Sequence, residues 1–158
     1  MNARQHFEAL LAHLNAGLQA GEGFTLEYQA EASDFIRFNH ARVRQAGQVQ
    51  QVYATLALYQ GERHGDFELA LSGVIDDDLP RLDQALQRLR TVLPTLADDP
   101  YLRLNREAWR SETAAGEAAQ HCEVAIAQIT EAAAGLDLVG FYAAGPQYQG
   151  FASSWGAF

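Results

Sequence analysis

The sequence contains no lysine. Its 11 basic residues are all arginine, they face 20 acidic ones, and the formal net charge is -9. A protein that grips duplex nucleic acid neutralises phosphates with clustered Lys and Arg, so direct nucleic-acid binding is not expected. Cysteine is nearly absent as well. The single Cys122 excludes an internal disulfide framework and a Cys-based zinc ribbon. Proline occurs 4 times and glycine 13 times, too few for a collagen-like or linker chain. No run approaches the roughly 18 apolar residues a membrane helix needs. The opening Asn2-Ala3-Arg4-Gln5-His6-Phe7-Glu8 puts polar residues where a signal peptide carries its apolar core. A cytoplasmic location without membrane contact is therefore expected. What the chain does have is 48% hydrophobic and 20% charged residues over 158 positions, an ordinary globular balance. A chain of that length buries roughly 70% of its unfolded surface and needs no metal or disulfide to fold. The expectation is one domain over residues 1–158.

Hydrophobic spacing divides the chain into elements. Phe7, Leu10, Leu11, Leu14 and Leu18 make one helical stripe. Asn2 is its expected N-cap, and Gly21 or Gly23 its expected stop. The period then becomes two. Phe24, Leu26, Tyr28 and Ala30 alternate with polar residues as in a half-buried strand. A second short strand is expected at 35–38, then a turn and a further short strand over 39–47. From 49 to 60 both faces are partly apolar, which suggests a central strand, with Val52, Ala54, Leu56 and Leu58 on one side. Gly61 to Gly65 reads as a hairpin loop, and Phe67, Leu69 and Leu71 face one way on the return strand.

Asp76-Asp77-Asp78-Leu79-Pro80 opens a second helix, its acids favoured by the helix dipole and its proline harmless in the first turn. Leu79, Leu82, Leu86, Leu89 and Leu93 form its stripe. Residues 101–110 show no period. A third helix is expected from near Ser111 or Thr113 to a cap at Gly135, with Ala118, Cys122, Ala125, Ile129 and Ala132 as a small-residue stripe. Strand character resumes over 136–144, Gly145-Pro146-Gln147 turns the chain, and 148–155 runs back as a hairpin partner. Grouped strands with helices between them give an α+β fold: a mainly antiparallel twisted sheet with about three helices packed on one face. The helices should bury Leu10, Leu14, Leu82, Leu86, Leu89 and Ile129.

Residues that could carry chemistry are sparse. His6, His13, His40, His64 and His121 include no pair at i, i+3 or i+4, the spacing at which a helix offers two metal ligands. A site built from distant segments, such as His40 with His64, would need Cys122 or carboxylates to complete it. Cys122 lies in an apolar stripe and reads as a small core residue. Asp76-Asp77-Asp78 reads as a solvated helix start rather than a cation site. No catalytic, cofactor-binding or metal-binding residue is assigned. The one local basic patch is Arg37, Arg42 and Arg44, interleaved with Phe35, Phe38 and Asn39. Arg37, Asn39, Arg42 and Arg44 are the candidate partner or substrate contacts.

Two stretches carry a family resemblance. One is Phe35-Ile36-Arg37-Phe38-Asn39-His40-Ala41-Arg42-Val43-Arg44-Gln45-Ala46-Gly47 with Val49-Gln50-Gln51. The other is Gly135-Leu136-Asp137-Leu138-Val139-Gly140-Phe141-Tyr142-Ala143-Ala144-Gly145, closing with Gly150-Phe151-Ala152-Ser153-Ser154-Trp155-Gly156. Both resemble the N-terminal domain of the TldD/PmbA family, the zinc metallopeptidases and their metal-free partner subunits also described as modulators of DNA gyrase. Ser153 stands where that family commonly has Asn, and Trp155 where it has a smaller apolar residue.

The family's His-Glu-x-x-x-His zinc helix has no counterpart in these residues, so no catalytic or metal ligand carries over. The resemblance implies a non-catalytic N-terminal domain of a longer parent whose C-terminal domain is catalytic. It implies zinc in that domain if the parent is a peptidase member, and a homo- or heterodimer acting on peptides or small proteins. The partners expected are the chain's own C-terminal domain, a second family member and a polypeptide substrate. The chain's apolar end, Trp155-Gly156-Ala157-Phe158, fits the same expectation of a longer parent. The alternatives are a free-standing interaction module that offers a sheet edge, or a domain of the metal-free partner.

Overall fold

A computed structural model describes residues 2–114 and 120–158. The elements are α1 (Ala3–Gly17), β1 (Glu22–Asn39), β2 (Arg42–Gln60), β3 (Arg63–Leu71), α2 (Ile75–Val92), α3 (Cys122–Ala132), β4 (Gly140–Ala144) and β5 (Gln147–Ser153), with a 3-10 turn at Leu93–Thr95. The strands form one antiparallel sheet in the order β3-β2-β1-β4, and β5 also pairs with β1. Among the described residues, three helices and five strands make the α+β architecture that the order of periods predicts. By Cα proximity the chain divides into two compact units. The first is Met1–Ala30, Gln51–Thr113 and Tyr148–Phe158; the second is Glu31–Gln50 and Ala114–Gln147.

The first unit holds the main core. Period two puts Phe24, Leu26 and Tyr28 of β1 and Val52, Ala54, Leu56 and Leu58 of β2 on one buried face. Leu10 and Leu14 of α1 and Leu82, Leu86 and Leu89 of α2 cover it. Several of these side chains are wholly buried, each stabilising the unit by about 1.5–3 kcal/mol. At the start of α1, the Asn2 side chain accepts from the Gln5 amide while the Gln5 side chain accepts from the Asn2 amide, a reciprocal capping box.

The helix ends at Gly17, earlier than the expected stop at Gly21 or Gly23, because Leu18 is already extended. Arg90 holds that end. Its guanidinium donates to the Gly17 carbonyl at 2.7 Å and binds both oxygens of Glu22 at 2.8 and 2.7 Å. The hydrogen bond from Arg90 keeps the Glu22 carboxyl below the usual carboxylate range.

Several expected boundaries move. The short strands expected at 24–30 and 35–38 are parts of one strand, β1, and the segment 42–47 belongs to β2. The turn between them is His40-Ala41, two residues at φ 50° and 53°. That is the mirror-image hairpin turn whose usual sequence signal is Asn-Gly or Gly-Gly, and neither residue here is glycine. The next turn is equally tight: Gly61 has φ 64°, while His64 and Gly65 already lie in β3 opposite Tyr59 and Leu58.

In the second unit, α3 starts at Cys122 rather than near Ser111, and Ala118 of the expected stripe lies outside the described residues. Ala133 is the cap and Gly135, at φ 80°, follows it. Ile129 is half-buried, not core; among the described residues of this unit, Ile36, Phe38, Ala125 and Ala133 are the buried apolar ones. Residues 136–139 precede the strand instead of belonging to it. β4 and β5 are not a hairpin: each pairs with β1, and β4 is in register from Asp34↔Ala144 to Phe38↔Gly140.

Candidate functional site

In the second unit, alternate residues of β1 share an open face that β4 extends. Phe35, Arg37 and Asn39 of β1, Arg44 of β2, Val139 just before β4, and Phe141 within it line an open depression of about 1430 Å³. Arg37 sits directly opposite Phe141 in the strand register. The Phe35 and Phe141 rings stack at 6.0 Å with 21° between planes. Gly47 makes room for Phe35: a Cβ there would come within 2.6 Å of the ring. Phe141 is 64% and Val139 72% exposed, so the floor is apolar and wet.

The face therefore brings together Arg37, Asn39 and Arg44 of the residues singled out in sequence. Arg42 is exposed but does not line the depression. The chain's other arginines are all engaged. Arg4, Arg63, Arg81, Arg90 and Arg110 meet carboxylates. Arg103 donates to backbone carbonyls, and Arg88 and Arg106 lie over aromatic rings. The guanidinium groups of Arg37, Arg42 and Arg44 have no hydrogen-bond, ion-pair or ring partner among the described residues.

Beside this face the second unit has a smaller polar recess of about 310 Å³, lined by Asp34, Gln48, His121 and Cys122. Gln48 donates to Asp34 at 2.9 Å. Cys122 is half-buried at the first turn of α3, not within an apolar stripe as its sequence neighbours suggest. His40 Nδ1 lies 2.7 Å from Asp137 Oδ1 on the exposed surface of the same unit.

The first unit holds a different polar constellation, wholly inside. His6 Nδ1 is 3.0 Å from the Tyr28 hydroxyl, and Nε2 is 3.2 Å from Asp78 Oδ2 without the alignment of a hydrogen bond. His6 and Tyr28 are 1% exposed and Asp78 0%. An acceptor-only carboxylate facing Nε2 favours the proton there, leaving Nδ1 to accept from Tyr28. Burial pushes the Tyr28 phenol up to about 12. Burial also pulls the His6 imidazole below its ordinary value, against the opposing charge of Asp78.

The expectation that Asp76-Asp77-Asp78 is a solvated run fails at its third member. Asp78 turns inward and accepts from the Ser72 and Gly73 amides, each at 2.8 Å. The arrangement resembles a proton relay in residue type, but no substrate reaches three groups this deeply enclosed, so its work is structural. No sequence spacing links His6, Tyr28 and Asp78; only the fold joins them.

A pH dependence follows. Above about pH 6.5 both folded and unfolded His6 are neutral. As pH falls through 6.5 the unfolded chain takes up the proton and the native chain does not. Stability then falls, by at most about 1.4 kcal/mol per pH unit, until pH passes the lowered native value. Urea unfolding of wild type and His6→Gln between pH 7.5 and 4.5 tests this: their difference should be constant above pH 7 and shift against wild type below 6.5. A difference independent of pH would refute it.

The remaining histidines of the first unit each meet one carboxylate, His13 with Asp83 at 2.7 Å and His64 with Asp99 at 3.2 Å. Among the described residues no three His, Cys, Asp or Glu side chains gather as a metal site, and no helix is long and apolar enough to cross a membrane.

No family model matches the chain, and no curated protein matches it. Among solved structures it is similar to a proposed modulator of a DNA gyrase from Thermotoga maritima MSB8, at 10% identity and a TM-score of 0.42, over 69% of this chain and 24% of that one. A second, from Bacteroides thetaiotaomicron VPI-5482 and likewise a proposed modulator of DNA gyrase, is 14% identical at a TM-score of 0.40, over 96% of this chain and 38% of that one. The chain thus spans well under half the length of either neighbour.

Proposed function

We propose that this chain is a non-catalytic domain of a TldD/PmbA-type parent, acting in the cytoplasm to assemble the protein and shape substrate access. Its partners in that reading are its own C-terminal domain, a second family member as homo- or heterodimer, and a peptide or protein substrate. The chemistry belongs to the parent's catalytic domain, where zinc would polarise the scissile carbonyl and activate water.

The observation that carries the reading is a juxtaposition. The two stretches that resemble the family, about 100 residues apart in sequence, lie side by side as paired strands, Phe35 opposite Ala143 and Arg37 opposite Phe141. Among the described residues no set of metal ligands gathers, while the face around Arg37 and Phe141 is open. The test starts from the reading frame. A His-Glu-x-x-x-His string beyond Phe158, with chelator-sensitive cleavage of unfolded casein by the full product and none by residues 1–158, is the expected result. A stop codon directly after Phe158, or cleavage by residues 1–158 alone, would overturn it.

A further inference from the structure

We propose that the open face of the second unit binds an extended acidic polypeptide segment that carries apolar side chains between its carboxylates. Two features of the face set that chemistry. The first is charge. In a chain of net charge -9, three arginine side chains, Arg37, Arg42 and Arg44, stand unpartnered among the described residues, and two of them, Arg37 and Arg44, line one depression. A guanidinium left free on such a surface is matched by a carboxylate, which it can hold through two parallel N–H donors.

The second feature is the apolar floor beside them, on the β4 side of Arg37. Phe35 and Phe141 stack, Phe141 is 64% exposed, and Val139 is 72% exposed. Exposed apolar area of this kind is covered by apolar side chains of a ligand. An extended strand presents side chains alternately, so carboxylates and apolar groups at neighbouring positions reach arginine and ring in turn.

Single-stranded nucleic acid also pairs phosphates with cations and bases with aromatic rings. The protein's overall negative charge repels a polyanion with a charge on every residue far more than a peptide with a few carboxylates. The acidic peptide is therefore the occupant the surface favours.

The proposal deepens the reading above, since it names what the domain receives, but the surface stands without that reading. Peptide binding with no zinc motif downstream would remove the parent and leave the surface; a zinc motif with no peptide binding would do the reverse.

The test uses fluorescence anisotropy with the 158-residue chain and four labelled probes: a ten-residue peptide alternating Glu with Phe or Leu, the same peptide with Lys for Glu, the same with Ser for Phe and Leu, and oligo-dT. The acidic-apolar peptide should bind at least about tenfold tighter than each other probe, a margin of 1.4 kcal/mol. Its affinity should fall as salt rises. R37E/R44E and F141S should each weaken it about tenfold or more while R42E does so less, with circular dichroism confirming that each variant is folded. Equal affinity for the lysine peptide, tighter binding of oligo-dT, or an R37E/R44E variant that is folded yet binds like wild type would each overturn the proposal.

Discussion

Replacing Asp78 with alanine is expected to destabilise the first unit by about 3–5 kcal/mol, the range for removing one partner of a buried charged constellation. The carboxylate accepts from the Ser72 amide at 2.8 and 3.1 Å, from the Gly73 amide at 2.8 Å and from the Ser72 hydroxyl at 3.0 Å. Those donors hold the turn that joins β3 to α2, where Gly73 takes φ 80°. The N-cap of α2 is Val74, which offers no side-chain acceptor, so Asp78 secures the helix start from within its first turns. Alanine would leave the amides without their acceptor and remove the carboxylate facing His6. Asp78→Asn keeps the shape but turns a donor toward donors, and should cost about half as much. Asp76→Ala and Asp77→Ala, on exposed neighbours, should each stay within about 0.5 kcal/mol. Urea unfolding midpoints at constant slope give these differences. An Asp78→Ala loss below about 1 kcal/mol would show that the turn holds without it.

That contrast within three consecutive aspartates marks where the sequence stops being legible. Repetition is what it shows well. Leu26 with Tyr28, Leu56 with Leu58, and Leu82 with Leu86 and Leu89 recur at periods of two or of three to four, and all are buried. Single long-range events leave no period. Asp78 is one acid among three until Ser72 and His6 are seen around it. His40 and Ala41 adopt left-handed backbone without a glycine to signal it, so two strands of 18 and 19 residues read as several short ones. The expected hairpin fails in its pairing alone: strands form on both sides of Gly145-Pro146, yet each of them pairs with β1. At the candidate face, the cluster of Arg37, Asn39 and Arg44 is legible because the residues lie close in sequence. The approach of Phe141, about 100 residues away, is not, and neither is the lack of partners for these arginine side chains.

The substitution Gly145→Ala should be the most disruptive one-carbon change in the second unit. An added Cβ would lie 2.1 Å from the Ala32 carbonyl oxygen and 2.5 Å from the Ser33 Cα, both backbone atoms, so no side chain can turn aside to admit it. The strand must move instead. The pairs nearest the strain are the Ala32 amide on the Pro146 carbonyl at 3.1 Å and Asp34 opposite Ala144. Overpacking of this kind costs about 1–3 kcal/mol, and the added contact with backbone places this case at the upper end. Amide hydrogen exchange at Phe35 to Arg37 and at Phe141 to Ala143 should then accelerate by more than about tenfold, the factor that corresponds to 1.4 kcal/mol. Gly17→Ala is the matched control with the opposite sign. Gly17 closes α1 with nothing within 4 Å of an added Cβ, and its φ is not among the positive values. Alanine there reduces the freedom of the unfolded chain and should stabilise by about 0.4–1 kcal/mol. If both substitutions shift the unfolding midpoint in the same direction, close backbone approach at Gly145 is not what requires glycine there.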